Sequence, residues 1–334
     1  MSFTVVRGGL FTIVQDLGRW GHLSRGVTVS DPMDRFSLLV GNTMLGNGRG
    51  DAALEIAFLG PEIVFRDERC VVLVGADLGM CIDGEPSAAW TVRRVVPGSR
   101  LSVGGAAEDG CRAYLCVSGG IDVPVVLGSR STYARGGFGG YGGRALRQGD
   151  IVGLGEPLPL WRLAGGFLCP PELRPRHSVS EWIDALDGPQ VDAFTENGIA
   201  AFYGGRYTVA QESDRMGYRL DGQPVGHRGG SNAANIISDA VVHGAVQVPG
   251  DGRPIVMMSD CQTVGGYAKI AVLTAWSAAA LAQRAPGAVV RFRRVNEAEA
   301  VWRLKEFERD LGRVNELRAS YRSRRWGTAF TRRR

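Results

Sequence analysis

Short apolar runs, four to six residues long and closed off by Gly, Pro or Asp, recur along the chain and decide its fold class. They are Phe11–Val14 (FTIV), Leu54–Phe58 (LEIAF), Glu62–Phe65 (EIVF), Cys70–Gly75 (CVVLVG), Arg112–Val117 (RAYLCV), Gly244–Val248 (GAVQV) and Pro254–Met258 (PIVMM). Their β-branched and aromatic side chains suit a pleated, half-buried surface, and their length suits a strand better than a helix. The 48 glycines, about twice the usual share and without a repeat period, supply the turns that many short strands need. Helical spacing of apolar residues is confined to three places. These are Met33–Leu45 (Met33, Phe36, Leu39, Val40, Met44), the apolar Ala271–Gln283, and Glu297–Arg322 (Val301, Leu304, Phe307, Leu311). The pattern predicts an all-β protein with a few helices.

At 334 residues the chain exceeds one ordinary core, so two domains are expected. A faint internal repeat agrees. DLGRWGH (Asp16–His22) precedes ALEIAFLGPEIVF (Ala53–Phe65), and ESDRMGY (Glu212–Tyr218) precedes AVQVPGDGRPIVMM (Ala245–Met258). The copies match Arg19 with Arg215 and Glu55 with Gln247 at nearly equal offsets, so each half carries an acid or amide on a strand after an R-x-G turn. Pro and Gly interrupt every pattern in Gly155–Pro175, which marks the boundary. The expected division is a first β domain over 1–160, a second over 161–300, and a C-terminal helix with a basic, disordered tail over 301–334.

The formal charge of +5 is local: from Lys305 onward ten basic residues face four acidic ones, leaving the rest near neutral. A tail ending YRSRRWGTAFTRRR reads as solvated, and nucleic-acid binding, which needs a basic face on the fold itself, is not expected. MSFTVVRGGL lacks the apolar core of a signal peptide. The longest weakly polar run, Ile270–Ala282, is shorter than the ~20 residues that cross a bilayer and reads as one buried helix. No membrane association is expected. Six cysteines without a C-x-x-C pair read as reduced, buried thiols of a cytoplasmic protein.

Several catalytic motifs are excluded. Gly137, Gly139 and Gly142 spell G-x-G-x-x-G, but a turn and a strand follow rather than a helix, so a flexible loop is the better reading. The only two lysines, Lys269 and Lys305, sit in neither a Walker A loop nor a biotin-acceptor Met-Lys pair. His22, His177, His227 and His243 are far apart in sequence and support no metal site. What remains is a set of polar clusters among the strands. They are Gly26–Asp34 (GVTVSDPMD), where Asp34 caps or flanks the next helix; Gly119–Thr132; the loop ending in Arg144 and Asp150; and Ser259–Lys269 (SDCQTVGGYAK). Singly each reads as a turn; together their Arg, Asp, Gln and Thr content marks a binding surface.

VQDLGRWGHLSRGVTVSDPMD, with Gly41–Asn42 and Leu54–Glu55 beyond it, resembles the opening of the allophanate hydrolase subunit 2 family. That group includes KipA-like proteins, the C-type chain of bacterial 5-oxoprolinase and part of the carboxyltransferase region of urea carboxylase. The likeness continues through YLCVSGGIDVPVVLGSRSTYARGGFGGYGGRALRQGD, SDRMGYRLDG, GAVQVPGDGRPIVMMSDCQTVGGYAKIA and AQRAPGAVVRF, from Phe3 to about Ala300. It implies two tandem cyclophilin-like β-barrel domains and a hetero-oligomer with a KipI-like B-type chain and a LamB/YcsF-like A-type chain. This chain departs from the usual family pattern where Ser30-Asp31-Pro32-Met33-Asp34 adds a charge and stiffens a turn. It departs again where Gly265-Gly266-Tyr267-Ala268 frees a backbone N–H and is expected to loosen its loop.

The activity implied is ATP-dependent opening of the 5-oxoproline lactam to glutamate, with ATP and Mg shared with partner chains and no biotin on this chain. Such a site needs cations and donors around developing negative charge. By residue type, Lys269, Asp260, Glu55 and Asp34 are the catalytic candidates. Arg130, Thr132, Arg144, Gln247, Gln262, Thr263, Gly265, Gly266 and Tyr267 are the substrate-binding ones, with the Ser259–Ile270 stretch as a substrate-facing loop. The alternatives are carboxyl transfer to urea or a related amide with separate biotin-carrying proteins, and a non-catalytic regulator that binds a KipI-like inhibitor.

Overall fold

Alternating apolar residues over most of the sequence form 21 short strands, joined by four α-helices among the described residues. The computed structural model describes residues 1–105, 110–159, 161–175 and 180–331; His177, Arg332, Arg333 and Arg334 lie outside them. The chain divides into two compact units. One comprises Met1–Gly18, Asp34–Pro175 and Glu306–Arg334, the other Arg19–Met33 and Arg176–Lys305. Both arginines of the internal repeat, Arg19 and Arg215, therefore belong to the second unit.

In the first unit the strands, numbered along the chain, form two antiparallel sheets. The larger runs β11 (Ile121–Asp122), β12 (Ile151–Leu154), β1 (Ser2–Arg7), β4 (Glu62–Phe65), β9 (Arg100–Val103), β6 (Met80–Ile82) and β7 (Glu85–Ser87). The smaller runs β2 (Phe11–Gln15), β3 (Ala53–Ala57), β10 (Arg112–Val117), β5 (Arg69–Gly75) and β8 (Arg93–Val95). Phe3, Leu54, Ile56, Leu73, Leu115 and Val152 meet in one core. Helix α1 (Arg35–Leu45) packs on β5 and β10 and buries Phe36, Leu39, Val40 and Met44 as its spacing predicts. Its ends are set by Asp34, whose carboxylate accepts from the Ser37 N–H, and by Gly46, which takes the left-handed conformation.

The second unit is a closed seven-stranded barrel. Its order is β13 (Trp182–Asp187), β20 (Lys269–Leu273), β17 (Ala245–Gln247), β18 (Ile255–Met257), β15 (Gly217–Gly222), β14 (Tyr207–Val209) and β21 (Val289–Arg294). β21 returns parallel to β13 and closes the ring. Ile183, Phe202, Tyr207, Ile270, Leu281 and Phe292 fill it, with the Phe202 and Phe292 rings stacked 4.3 Å apart, and α2 (Glu196–Gly204) contacts β21. A separate two-stranded ribbon pairs β16 (Asn235–Ala240) with β19 (Val264–Tyr267).

Two expectations change. The run Ile270–Ala282 is not one helix: its first part is β20, and α3 (Ala275–Ala282) begins only after Thr274, whose hydroxyl caps it through the Ser277 N–H. An apolar run does not reveal its period, and here the ladders of β20 with β13 and β17 decide. The C-terminal helix α4 (Glu297–Thr331) runs past Arg322. Phe307, Leu311 and Val314 are buried, and Tyr321 donates to the Gly165 carbonyl at 3.2 Å, so burial and hydrogen bonding order a segment that charge alone marks as solvated.

Candidate functional site

The stretch Ser259–Ile270 is a turn followed by two strands rather than a loop. Gly265 and Gly266 lie inside β19, and neither adopts a positive φ. Gly265 is required for another reason: a Cβ there would lie 2.5 Å from Gln247 Nε2 and 3.0 Å from Val241 Cγ2. The Gln247 amide occupies the face that a side chain at 265 would need. The backbone N–H of Ala268, expected to be loose, donates to the Ala234 carbonyl at 3.0 Å and ties the strand down.

Lys269 opens β20 and is 3% exposed. Its Nζ donates to Asp239 Oδ2 at 3.2 Å, and its backbone N–H donates to Gln190 Oε1 at 3.2 Å. Gln190 Nε2 completes the triangle on Asp239 Oδ2 at 3.2 Å. The Ala240 N–H and then Lys269 hold the Asp239 carboxyl below its ordinary range, so it remains ionised. Two irregularities in the ladders make this meeting. Between Val246 and Gln247 the β17–β20 register slips by one, placing Lys269, not Ile270, opposite Gln247. Between Asn235 and Asp239 the ribbon register shifts as well, placing Asp239 opposite Gly265. Bulged registers of this kind re-aim side chains beside functional sites. Gln262 is exposed, Thr263 accepts the Val241 N–H at 3.0 Å through its carbonyl, and Tyr267 is 39% exposed on β19.

The three candidate carboxylates are each already engaged. Asp260 grips Arg215 with two hydrogen bonds, from Nε at 3.0 Å and Nη2 at 3.1 Å, and both side chains are buried. Arg215 Nη2 also donates to the Asp31 carbonyl at 2.9 Å. Asp31 follows Ser30, a buried residue at φ 48°, in the departing Ser30–Asp34 segment, and its carboxylate faces His243 Nδ1 at 3.5 Å. Beside Asp260, burial pushes the Cys261 thiol up to about 12, so it is no thiolate nucleophile at neutral pH. In the first unit, Asp34 caps α1 and its N–H donates to the Tyr114 hydroxyl at 2.7 Å; that hydroxyl donates to Glu55 Oε2 at 2.8 Å. Burial first, then Glu55 and Asp34, raise the Tyr114 hydroxyl well above its ordinary value.

The remaining candidates also lie in the first unit. Thr132 donates its hydroxyl to the Val14 carbonyl at 2.9 Å, and Gln15 Nε2 donates to the Thr132 carbonyl at 3.0 Å. Asp16 gathers the same loop, accepting from Ser129 Oγ, Ser131 Oγ and the Arg130 N–H. The Arg130 guanidinium donates to the Val123 carbonyl and Asp122 and is 39% exposed. Arg144 forms a two-pronged ion pair with Asp150, at 2.8 and 2.9 Å. That hydrogen-bonded pair lowers the Asp150 carboxyl and raises Arg144. The glycine-rich segment before Arg144 closes on itself: Gly140, at φ 53°, leaves no room for a Cβ beside Thr132 Oγ1. No helix follows it, and Arg144 is committed to Asp150, so this loop does not fit a phosphate cradle.

Residues 25–294 match the carboxyltransferase domain family, subdomains A and B. The chain belongs to that family. It is 34% identical over 299 residues to the C-type chain of 5-oxoprolinase from Escherichia coli (strain K12), covering 89% of this chain and 92% of that protein. To the corresponding 5-oxoprolinase chain of Haemophilus influenzae it is 33% identical over 304 residues, covering 91% of this chain and 94% of the relative. Among solved structures, the K. lactis urea amidolyase matches with a TM-score of 0.87 and 31% identity over 94% of this chain, which spans 20% of that enzyme's length. The mostly β architecture with a closed barrel is thus the fold of carboxyltransferase-domain proteins.

Within this carboxyltransferase-domain chain, the structure joins Lys269, Gln247 and Gly265, and separately joins Asp34 with Glu55. Asp239 and Gln190 are functional candidates that residue type and motif do not single out. The one available signal is an acid inside the largely apolar stretch IISDAVV, and only the ladder geometry connects it to a lysine thirty residues on. Among the described residues no group of three His, Cys, Asp or Glu is placed to hold a metal ion, and no helix is long and apolar enough to cross a membrane.

Proposed function

We propose that this chain is the C-type component of an ATP-dependent 5-oxoprolinase, a cytoplasmic complex with KipI-like and LamB/YcsF-like partners that opens the 5-oxoproline lactam to glutamate. The supporting observation is that the likeness spans 92% of the Escherichia coli 5-oxoprolinase chain, rather than one stretch of a much longer enzyme. Lys269, with Gln247 beside it, is the group that meets substrate. Asp34, Glu55 and Asp260 hold the frame, since each is buried and already bonded to a partner. ATP and Mg belong chiefly to the partner chains, because the glycine-rich loop here offers no phosphate cradle. The isolated chain is therefore inactive.

The test combines the chain with its two partners and follows glutamate formation from 5-oxoproline with and without ATP. ATP-dependent glutamate that needs all three chains is the expected result. A stable complex without turnover would reject the hydrolase reading and favour the KipA-like regulator. A second enzymatic reading, carboxyl transfer to urea or a related amide with separate biotin-carrying proteins, is favoured by the match to the urea amidolyase structure. It requires carboxylation of that amide by the chain together with a biotin carrier.

A further inference from the structure

We propose that the Lys269–Gln247 pair is a carboxylate-binding subsite in which Asp239 stands in for the carboxylate of the substrate. This rests on the reading of the substrate as a small lactam acid and names the part of it that the second unit recognises.

Two ladder pairings and two side-chain approaches close a ring. Gln247 stands opposite Lys269 across β17 and β20. Lys269 Nζ reaches Asp239 Oδ2 at 3.2 Å. Asp239 stands opposite Gly265 across the ribbon, and Gly265 lies directly over Gln247 Nε2. Around the ring two donor groups have N–H bonds to spare. An ammonium has three N–H donors and an amide two, yet Lys269 Nζ has one oxygen partner among the described residues. Gln247 is 2% exposed, and its Nε2 has no hydrogen-bond partner among the described residues. Buried donors left in this state are costly, and native proteins keep few without a use. A carboxylate, with two oxygens and about four lone-pair sites, suits a lysine and a side-chain amide on paired positions of neighbouring strands.

Asp239 is the only carboxylate bonded to Lys269 Nζ among the described residues, and it is unlike its partner in burial. Its side chain is 49% exposed, against 3% for Lys269. It sits on the ribbon, where Ile237 is 94% and Val264 59% exposed, rather than on the barrel. An exposed acid on a two-stranded ribbon can yield its place to an incoming carboxylate without disturbing the barrel core. The buried lysine and amide remain where the β17–β20 ladder holds them. A neutral amide such as urea has no group to make this exchange.

With only two lysines in the chain, the test has a clean readout. The full chain is labelled with ε-13C-lysine, Lys305→Arg assigns the signals, and 5-oxoproline, 2-pyrrolidinone, glutarate and inorganic phosphate are titrated in turn. The same titrations are repeated on the assembled complex. 5-Oxoproline is expected to shift the Lys269 signal and leave Lys305 still, while 2-pyrrolidinone, the same lactam without the carboxylate, moves neither. Asp239→Asn removes the competing charge and is expected to tighten 5-oxoproline binding about two- to fivefold, the low range set by an acid that is itself half exposed. A response to glutarate but not to 5-oxoproline would keep the subsite and overturn the 5-oxoproline reading. An equal response to 2-pyrrolidinone, tighter binding of phosphate than of any carboxylate, weaker binding by Asp239→Asn, or silence of Lys269 toward every carboxylate in both preparations would overturn the proposal.

Discussion

Replacing Asp260 by alanine separates a structural carboxylate from a catalytic one. Asp260 and Arg215 are both buried and share two hydrogen bonds, at 3.0 and 3.1 Å, and the Asp260 N–H also donates to the Arg215 carbonyl at 2.8 Å. Asp260→Ala takes two hydrogen bonds from the buried guanidinium, which still donates to the Asp31 carbonyl at 2.9 Å. Removing one partner of a buried ion pair costs about 3–5 kcal/mol, because the surviving charge stays desolvated. A native domain has only about 5–15 kcal/mol to lose, so the variant should unfold at a much lower urea concentration than the parent. Replacing both partners with apolar residues, Arg215→Met with Asp260→Leu, removes the buried charge along with its carboxylate and should restore stability to within about 1–2 kcal/mol of the parent. Urea unfolding of the parent, the single and the double variant measures all three. The structural assignment is refuted if Asp260→Ala costs less than about 1 kcal/mol while abolishing turnover in the complex, for the carboxylate would then act at the chemistry.

Three further outcomes follow from the geometry. Gly265→Ala pushes a methyl group into Gln247 Nε2 and Val241 Cγ2 and should cost about 1–3 kcal/mol by overpacking, read as a lower urea midpoint. Tyr114→Phe strips the hydroxyl that links the Asp34 N–H to Glu55 and removes both of those buried hydrogen bonds, at about 1–3 kcal/mol by the same assay. Asp150 has a depressed carboxyl pKa because of Arg144, so its contribution to stability is full above the ordinary carboxylate value of about 3.9 and fades as pH falls through the lower folded value. Arg144→Ala should therefore flatten the acid limb of a stability-versus-pH curve below about pH 4 and leave its neutral limb parallel to the parent's.

The parts of this molecule that depend on neighbouring residues in sequence are legible without coordinates. CVVLVG and RAYLCV become β5 and β10, LEIAF overlaps β3, and the Met33–Leu45 face becomes α1 with Asp34 at its cap. The family resemblance, too, rests on contiguous motifs. What is not legible depends on pairing. Ile270–Ala282 is apolar throughout, so nothing in it distinguishes a barrel strand from a helix until the ladders to β13 and β17 are seen. Gly265 reads as a loop glycine because a sequence does not reveal the Gln247 amide beneath it. Asp260 carries the residue type of a general base, and only its meeting with Arg215, 45 positions earlier, shows the carboxylate to be occupied. Lys269 stands out by its rarity, but its partner Asp239 is placed by a register shift in the ribbon and its partner Gln190 comes from a turn 79 positions earlier, and neither leaves a local trace.

Whether Lys269 meets the substrate is decided by glutamate formation in the assembled three-chain complex carrying Lys269→Met, which keeps the buried stem packed and removes the charge. The expected result is loss of turnover with complex assembly retained and the thermal midpoint within a few degrees of the parent's. Near-parental turnover would show that Lys269 does not meet the substrate and would contradict the site proposed for this chain.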